Sequence, residues 1–134
     1  MKVLLDTHLL LWAAGALDEV DPGGGLSGAA VALIDDPAHA LMFSAASIWE
    51  VAIKTDLGRP DFRVDPHLLR RGLLDNGYEE LAITAAHAAA VSGLPKLHKD
   101  PFDRLLVAQA TVEGVVLLTS DATLGAYGEI VRTV

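Results

Sequence analysis

Cysteine is absent from the 134 residues, which excludes a disulfide framework and a thiolate metal site and is compatible with the cytoplasmic setting we expect. Aromatic residues make up only 5%, too few for the interleaved platform of a sequence-tolerant single-strand binder, and Trp12 and Trp49, each among apolar neighbours, are expected to be core anchors. Basic residues are scarce too. Ten Lys and Arg against eighteen acids give a formal charge of -8, opposite in sign to the footprint of a general nucleic-acid binder. Asp6 and His8 interrupt the first apolar stretch and no later stretch is long enough without charge, so neither a signal peptide nor a membrane-spanning helix is expected. His8, His39, His67, His87 and His98 lack His-x-x-x-His spacing, which favours structural or surface roles over zinc binding; His8 and His98 stand out only for neighbouring candidate acids. Gly23-Gly24-Gly25 has no following Gly-Lys-Ser/Thr and is read as flexible, not as a phosphate cradle, and no Gly-x-Ser-x-Gly elbow supports serine hydrolysis.

What is present is an ordinary folded composition, 51% hydrophobic and rich in Ala, Leu and Val, sufficient for one domain over residues 1–134 with an apolar core. Lys2 to Leu5 reads as a short buried strand and Thr7 to about Ala14 as a helix. Asp18 to Gly28, with four glycines and a proline, reads as a surface loop. Ser27 can cap a helix to about Asp35, followed by a strand near Ala40 to Phe43 and a helix from about Ala45 to Leu57, closed by Gly58 and Pro60. Asp65-Pro66 opens a helix to about Asp75, where Asn76-Gly77 breaks it. A third strand near Glu80 to Ile83 leads to an Ala- and His-containing helix ending near Gly93. Asp100-Pro101 opens a helix to Glu113; Val115 to Thr119 reads as a strand buried on both faces, and Ile130 to Thr133 as a last short one. Strands alternating with helices imply an α/β fold with a parallel sheet covered on both sides.

In such a sheet ligands bind beyond the carboxyl ends of the strands, which draws attention to acids placed there. Asp6 directly follows the first strand, and Asp121 follows Thr119 after one residue, Ser120. The ordinary alternative for each is a helix N-cap, a role compatible with metal binding. Asp103 lies in the first turn of its helix with Leu106, Val107 and Ala110 on its own face, whereas Asp100 holds the better capping position and stands next in line for a supporting role. Glu50 is flanked by Ile48, Trp49, Val51 and Ala52; its alternatives are a capping box with Ser47 or an i,i+4 pair with Lys54. If these acids converge, their repulsion raises their pKa values and destabilises the fold unless a cation is present. A divalent ion held by oxygen ligands relieves that repulsion and suits phosphodiester hydrolysis, because it activates water, orients the phosphate and stabilises the leaving oxygen. Lys54, Arg104, Arg70 and Arg71 are candidates for a basic rim that offsets the acidic charge.

Four segments carry a resemblance: Leu4-Leu5-Asp6-Thr7-His8, Ser44 through Lys54, His98 through Ala110, and Thr119-Ser120-Asp121. In order across most of the chain, they resemble the PIN-domain family, specifically the VapC-type toxins of bacterial and archaeal toxin-antitoxin pairs. The resemblance implies a PIN-like α/β/α sandwich with a central, mostly parallel sheet of four to five strands. It further implies a metal-dependent endoribonuclease using Mg2+ or Mn2+, inhibition by a VapB-type antitoxin, and a homodimer. By the matching motifs Asp6, Glu50, Asp103 and Asp121 are the metal-coordinating and catalytic acids, with Asp100 as the alternative to Asp103. Thr7, Asp100, Arg104, Ser120 and Lys54 are supporting or substrate-positioning candidates: Thr7 through a bond to the first acid or to water at the metal, Arg104 through a site carboxylate or a phosphate.

Two rivals stand beside this reading. One is a PIN-type nuclease directed at DNA or flaps; small size without inserted clamps favours RNA, whose single strands and loops expose their bases. The other is a non-catalytic acidic metal-binding interaction module. A receiver-like module would add a second acid cluster around the first strand and a lysine after a late strand, and neither is evident.

Overall fold

The computed structural model describes residues 1–16 and 25–134, so most of the expected Asp18–Gly28 loop lies outside the described residues. The strands are β1 (Lys2–Leu5), β2 (Ala40–Ser44), β3 (Glu79–Leu81), β4 (Val116–Thr119) and β5 (Val131–Thr133). The helices are α1 (Thr7–Ala13), α2 (Gly28–Asp35), α3 (Ala45–Asp56), α4 (Pro66–Asp75), α5 (Ala85–Ala90) and α6 (Pro101–Glu113), with 3-10 turns at Val91–Gly93 and Ala122–Tyr127. Each of these helices starts on a Ser, Thr or Asp whose side chain accepts from a free first-turn amide: Asp6, Ser27, Ser44, Asp65, Thr84 and Asp100. Pro66 and Pro101 occupy first-turn positions where a missing N–H costs nothing. Gly114 ends α6 at a φ of 66°, a conformation that disfavours any side chain. The cap of α3 is Ser44, not Ser47, so the capping box weighed as an alternative role for Glu50 is not formed.

All strand pairs are parallel and the order is β3-β2-β1-β4-β5. The period-two alternation of β1 divides the core. Val3 and Leu5 pack with Leu9 and Leu10 of α1 and Leu69 and Leu73 of α4 on one face, and Leu4 packs with Leu106, Val107 and Ala110 of α6 on the other. This is the expected α/β/α sandwich, with a sheet that is parallel throughout. β3 is displaced from expectation: it pairs only as far as Ser44 with Leu81, because β2 turns into α3 there, and Ile83 is left exposed.

The chain builds outward from β1 through β2 to β3, then returns to the opposite side of β1 for β4 and β5. The order reverses between β1 and β4, the place beyond the strand ends where open parallel sheets bind ligands. Asp6 directly follows β1 and Asp121 follows β4 after one residue, so both lie at this edge. No helix among the described residues is long and apolar enough to cross a membrane.

Candidate functional site

Asp6 is only 5% exposed. Its Oδ1 accepts from the Leu9 amide at 3.0 Å, capping α1, and its Oδ2 accepts from the Thr119 hydroxyl at the end of β4. Burial pushes its carboxyl above the usual range; the Thr119 and Leu9 bonds and His8 oppose that rise, and the charge of Asp121 adds to it. Thr119 Oγ1 also accepts from the Asp121 amide at 3.0 Å, so one threonine joins the acids at the two strand ends. Asp121 Oδ1 accepts from the Thr123 amide at 2.9 Å and hydroxyl at 2.6 Å, and the hydroxyl bond above all holds its carboxyl below the usual value.

Asp103, in the first turn of α6, is pushed up to about 7 by burial, then by the charges of Asp100 and Asp6 and more weakly by Glu50, with His98 opposing. Glu50 is 7% exposed: Oε2 meets Lys54 Nζ at 2.9 Å, and Oε1 is buried with no hydrogen-bond partner. Asp6 thus feels the charge of Asp121, and Asp103 feels those of Asp6 and Glu50.

The expected supporting residues divide. Asp100 caps α6 through its Oδ1, accepting from the Phe102 and Asp103 amides. Lys54 forms the i,i+4 pair with Glu50, and Ser120 is exposed on the turn between Thr119 and Asp121. Thr7 does not reach Asp6; its hydroxyl donates to Ser47 Oγ at 2.9 Å, tying α1 to α3. Arg104 turns away from the carboxylates and donates to the Val91 carbonyl at 3.2 Å, leaving its Nε buried and unpaired. Arg70 is held by both oxygens of Glu80, at 2.8 and 2.9 Å, which removes it from the expected basic rim, and Arg71 is exposed on the same helix, α4.

Three residues at or near the site were not among the predicted site residues. His98 Nε2 lies 3.1 Å from Asp121 Oδ2 and 3.7 Å from Asp103 Oδ2; one ligand-capable atom from each of these three residues lies within 4.8 Å of the others. Thr119 looked like the last residue of a buried strand. Trp49, expected in the core, is 57% exposed and meets Phe102 of α6 edge-on at 5.3 Å, while Trp12 is partly buried against the core as expected. Only the chain positions of Trp49 and Phe102, each preceding a candidate acid, hinted at that pairing.

The PIN domain family model matches residues 3–130. The chain belongs to the PIN domain family. Among solved structures, this PIN domain is similar to VapBC2 from Rickettsia felis, crystallised with a DNA fragment from their promoter: 13% identity, TM-score 0.65, covering 99% of this chain and 98% of that one. VapBC-1 from nontypeable Haemophilus influenzae aligns at 16% identity and TM-score 0.57, over 95% and 92% of the two chains. A domain of a functionally unknown protein from Methanocaldococcus jannaschii aligns at 15% and 0.56, over 99% and 90%. At these identities the likeness shows the PIN fold alone. No curated protein matches the chain.

Proposed function

We propose that this PIN domain, residues 1–134, is a divalent-metal-dependent endoribonuclease that hydrolyses RNA phosphodiester bonds in the cytoplasm, as the toxin of a VapBC-type pair. The observation that carries the chemistry is the buried, unpartnered Glu50 Oε1 beside Asp103, whose carboxyl is pushed up to about 7. A buried oxygen without a donor costs roughly 1–3 kcal/mol, and mutual repulsion among carboxylates adds to that cost. A hard cation relieves both, and the carboxylate donor set suits Mg2+ or Mn2+.

Asp6, Glu50, Asp103 and Asp121 would hold the ion. When bound, it supplies water activation and stabilisation of the phosphate's developing charge. The chain's own contribution is preorganisation. Thr119 fixes the Asp6 carboxylate against the end of β4, Thr123 fixes that of Asp121, and Lys54 restrains one oxygen of Glu50 so that the other stays free. Asp103 must lose its proton for the full set to bind.

The VapBC likeness supports a VapB-type antitoxin as partner; a homodimer is the assembly we propose from the family resemblance. RNA is preferred as substrate because a small cleft can take the splayed bases of loops and single strands without opening a duplex.

The test is cleavage of transfer and ribosomal RNA, with duplex and flap DNA in parallel, by antitoxin-free protein with Mg2+ or Mn2+, beside an Asp6→Asn variant and an EDTA control. RNA cutting lost in both controls is expected. Cutting of DNA alone moves the substrate to the rival nuclease class, and a folded, metal-loaded protein that cuts nothing is a binding module, a reading that the net charge of -8 favours.

A further inference from the structure

We propose that His98 is a positioning residue: it donates from Nε2 to Asp121, aims that carboxylate at the cation site, and is not itself a ligand of the ion. This rests on the reading of the acids as a divalent-cation site.

The geometry determines where the imidazole proton lies. The backbone amide of Asp100 donates to His98 Nδ1 at 3.1 Å. An amide can only donate, so Nδ1 offers a lone pair and the neutral ring carries its hydrogen on Nε2. That nitrogen faces Asp121 Oδ2 at 3.1 Å, with Asp103 Oδ2 farther off at 3.7 Å. Ligation through Nε2 would require the proton to move to Nδ1, setting one N–H against another at the Asp100 amide.

The consequence for Asp121 is specific. Its Oδ1 already accepts the Thr123 amide and hydroxyl, so a donor on Oδ2 holds the second oxygen as well and stops the carboxylate from rotating. Ring, amide and helix form one device. Asp100 caps α6 through its carboxylate, orients His98 through its amide, and starts the helix whose first turn presents Asp103.

Long-range proton–nitrogen NMR on 15N-histidine-labelled protein, before and after adding Mg2+, reads the tautomer directly. The His98 resonances are assigned by their loss in His98→Gln. An unprotonated Nδ1 and a protonated Nε2 in both states are expected; a proton on Nδ1 in either state overturns the proposal. Calorimetric Mn2+ binding to His98→Ala and His98→Gln supplies a second readout, because glutamine places an N–H close to where Nε2–H lies but supplies no imidazole ligand. Alanine should weaken binding about tenfold or more and glutamine should stay within about threefold of the parent. Glutamine as weak as alanine, or both equal to the parent, contradicts the positioning role. If the alanine variant does not fold, the tautomer still decides. Neither measurement needs RNA cleavage, so an inert protein would sink the ribonuclease reading while leaving this one to stand or fall alone.

Discussion

Helix α6 carries two polar clusters with opposite internal accounts. Toward its C-terminal half, the fully buried Gln109 accepts from Ser44 through Oε1, and its Nε2 lies 3.4 Å from both the Ala82 carbonyl and His87 Nδ1. His87 Nδ1 accepts the Thr84 amide at 3.0 Å, so its Nε2 donates to Glu113 at 2.7 Å. These donors and acceptors are matched within the protein. At the N-terminal end, Asp103 shares a region with Asp6 and Glu50, carboxylates that raise its pKa, and one Glu50 oxygen has no partner. A matched network holds elements together; a cluster left with surplus acceptors is poised for a ligand from outside. The same helix thus separates a structural lock joining α5, α6 and β2 from a cluster whose surplus acceptors suit the cation we propose.

Substitutions at the two ends sharpen that contrast. Asp103→Asn should cut RNA cleavage by about a thousandfold, since a lost ligand forfeits several kcal/mol of charge stabilisation in the transition state. The same variant should keep or raise the stability of metal-free protein at pH 8, which paired activity assays and denaturant titrations would show. Gln109→Ala should do the reverse. It leaves the Ser44 hydroxyl without its acceptor and opens a cavity, costing about 2–4 kcal/mol of stability while cleavage per folded molecule stays near the parent's. An Asp103→Asn variant with full activity, or a Gln109→Ala variant fully stable and inactive, would dissolve the distinction.

Asp103 also sets a pH dependence. Its native pKa of about 7 lies above the unfolded value of about 4, so the native state holds the proton more tightly. The resulting stabilisation is complete below about 4 and is lost as pH rises through about 7, so metal-free protein should lose stability across that window and Asp103→Asn should not show this component. Metal binding at the proposed site would expel the same proton. Mn2+ affinity should therefore fall up to tenfold per pH unit below about 7, a slope calorimetry can follow. The smallest effect is expected at the rim of the matched cluster: Glu113→Gln keeps an acceptor for the His87 donor and should cost under about 1 kcal/mol in a thermal melt.

Local signals made much of the fold legible. Asp65-Pro66 and Asp100-Pro101 carry cap and proline together, and the apolar runs of β1 and β4 fit strands at the centre of a parallel sheet. Acids immediately beyond those strands could be placed at the sheet's carboxyl edge because that inference needs only the order of elements. What local reading could not supply was the partner of each side chain. Trp49 sits among apolar residues in sequence, yet its i+4 and i+8 neighbours, Ile53 and Leu57, share its exposed face of α3. Thr119 and Asp6 meet across 113 positions, and His98 and Asp121 across 23, so neither pairing leaves a spacing motif. Arg104 is similar: its position beside Asp103 says nothing of the Val91 carbonyl it reaches.

The most direct measurement is thermal unfolding at pH 8 of the parent and Asp103→Asn, each with EDTA and with excess Mn2+. A cation site completed by these acids predicts a rise in the parent's Tm on adding Mn2+ and a much smaller rise in the variant. No rise in the parent, or an equal rise in both, would contradict it.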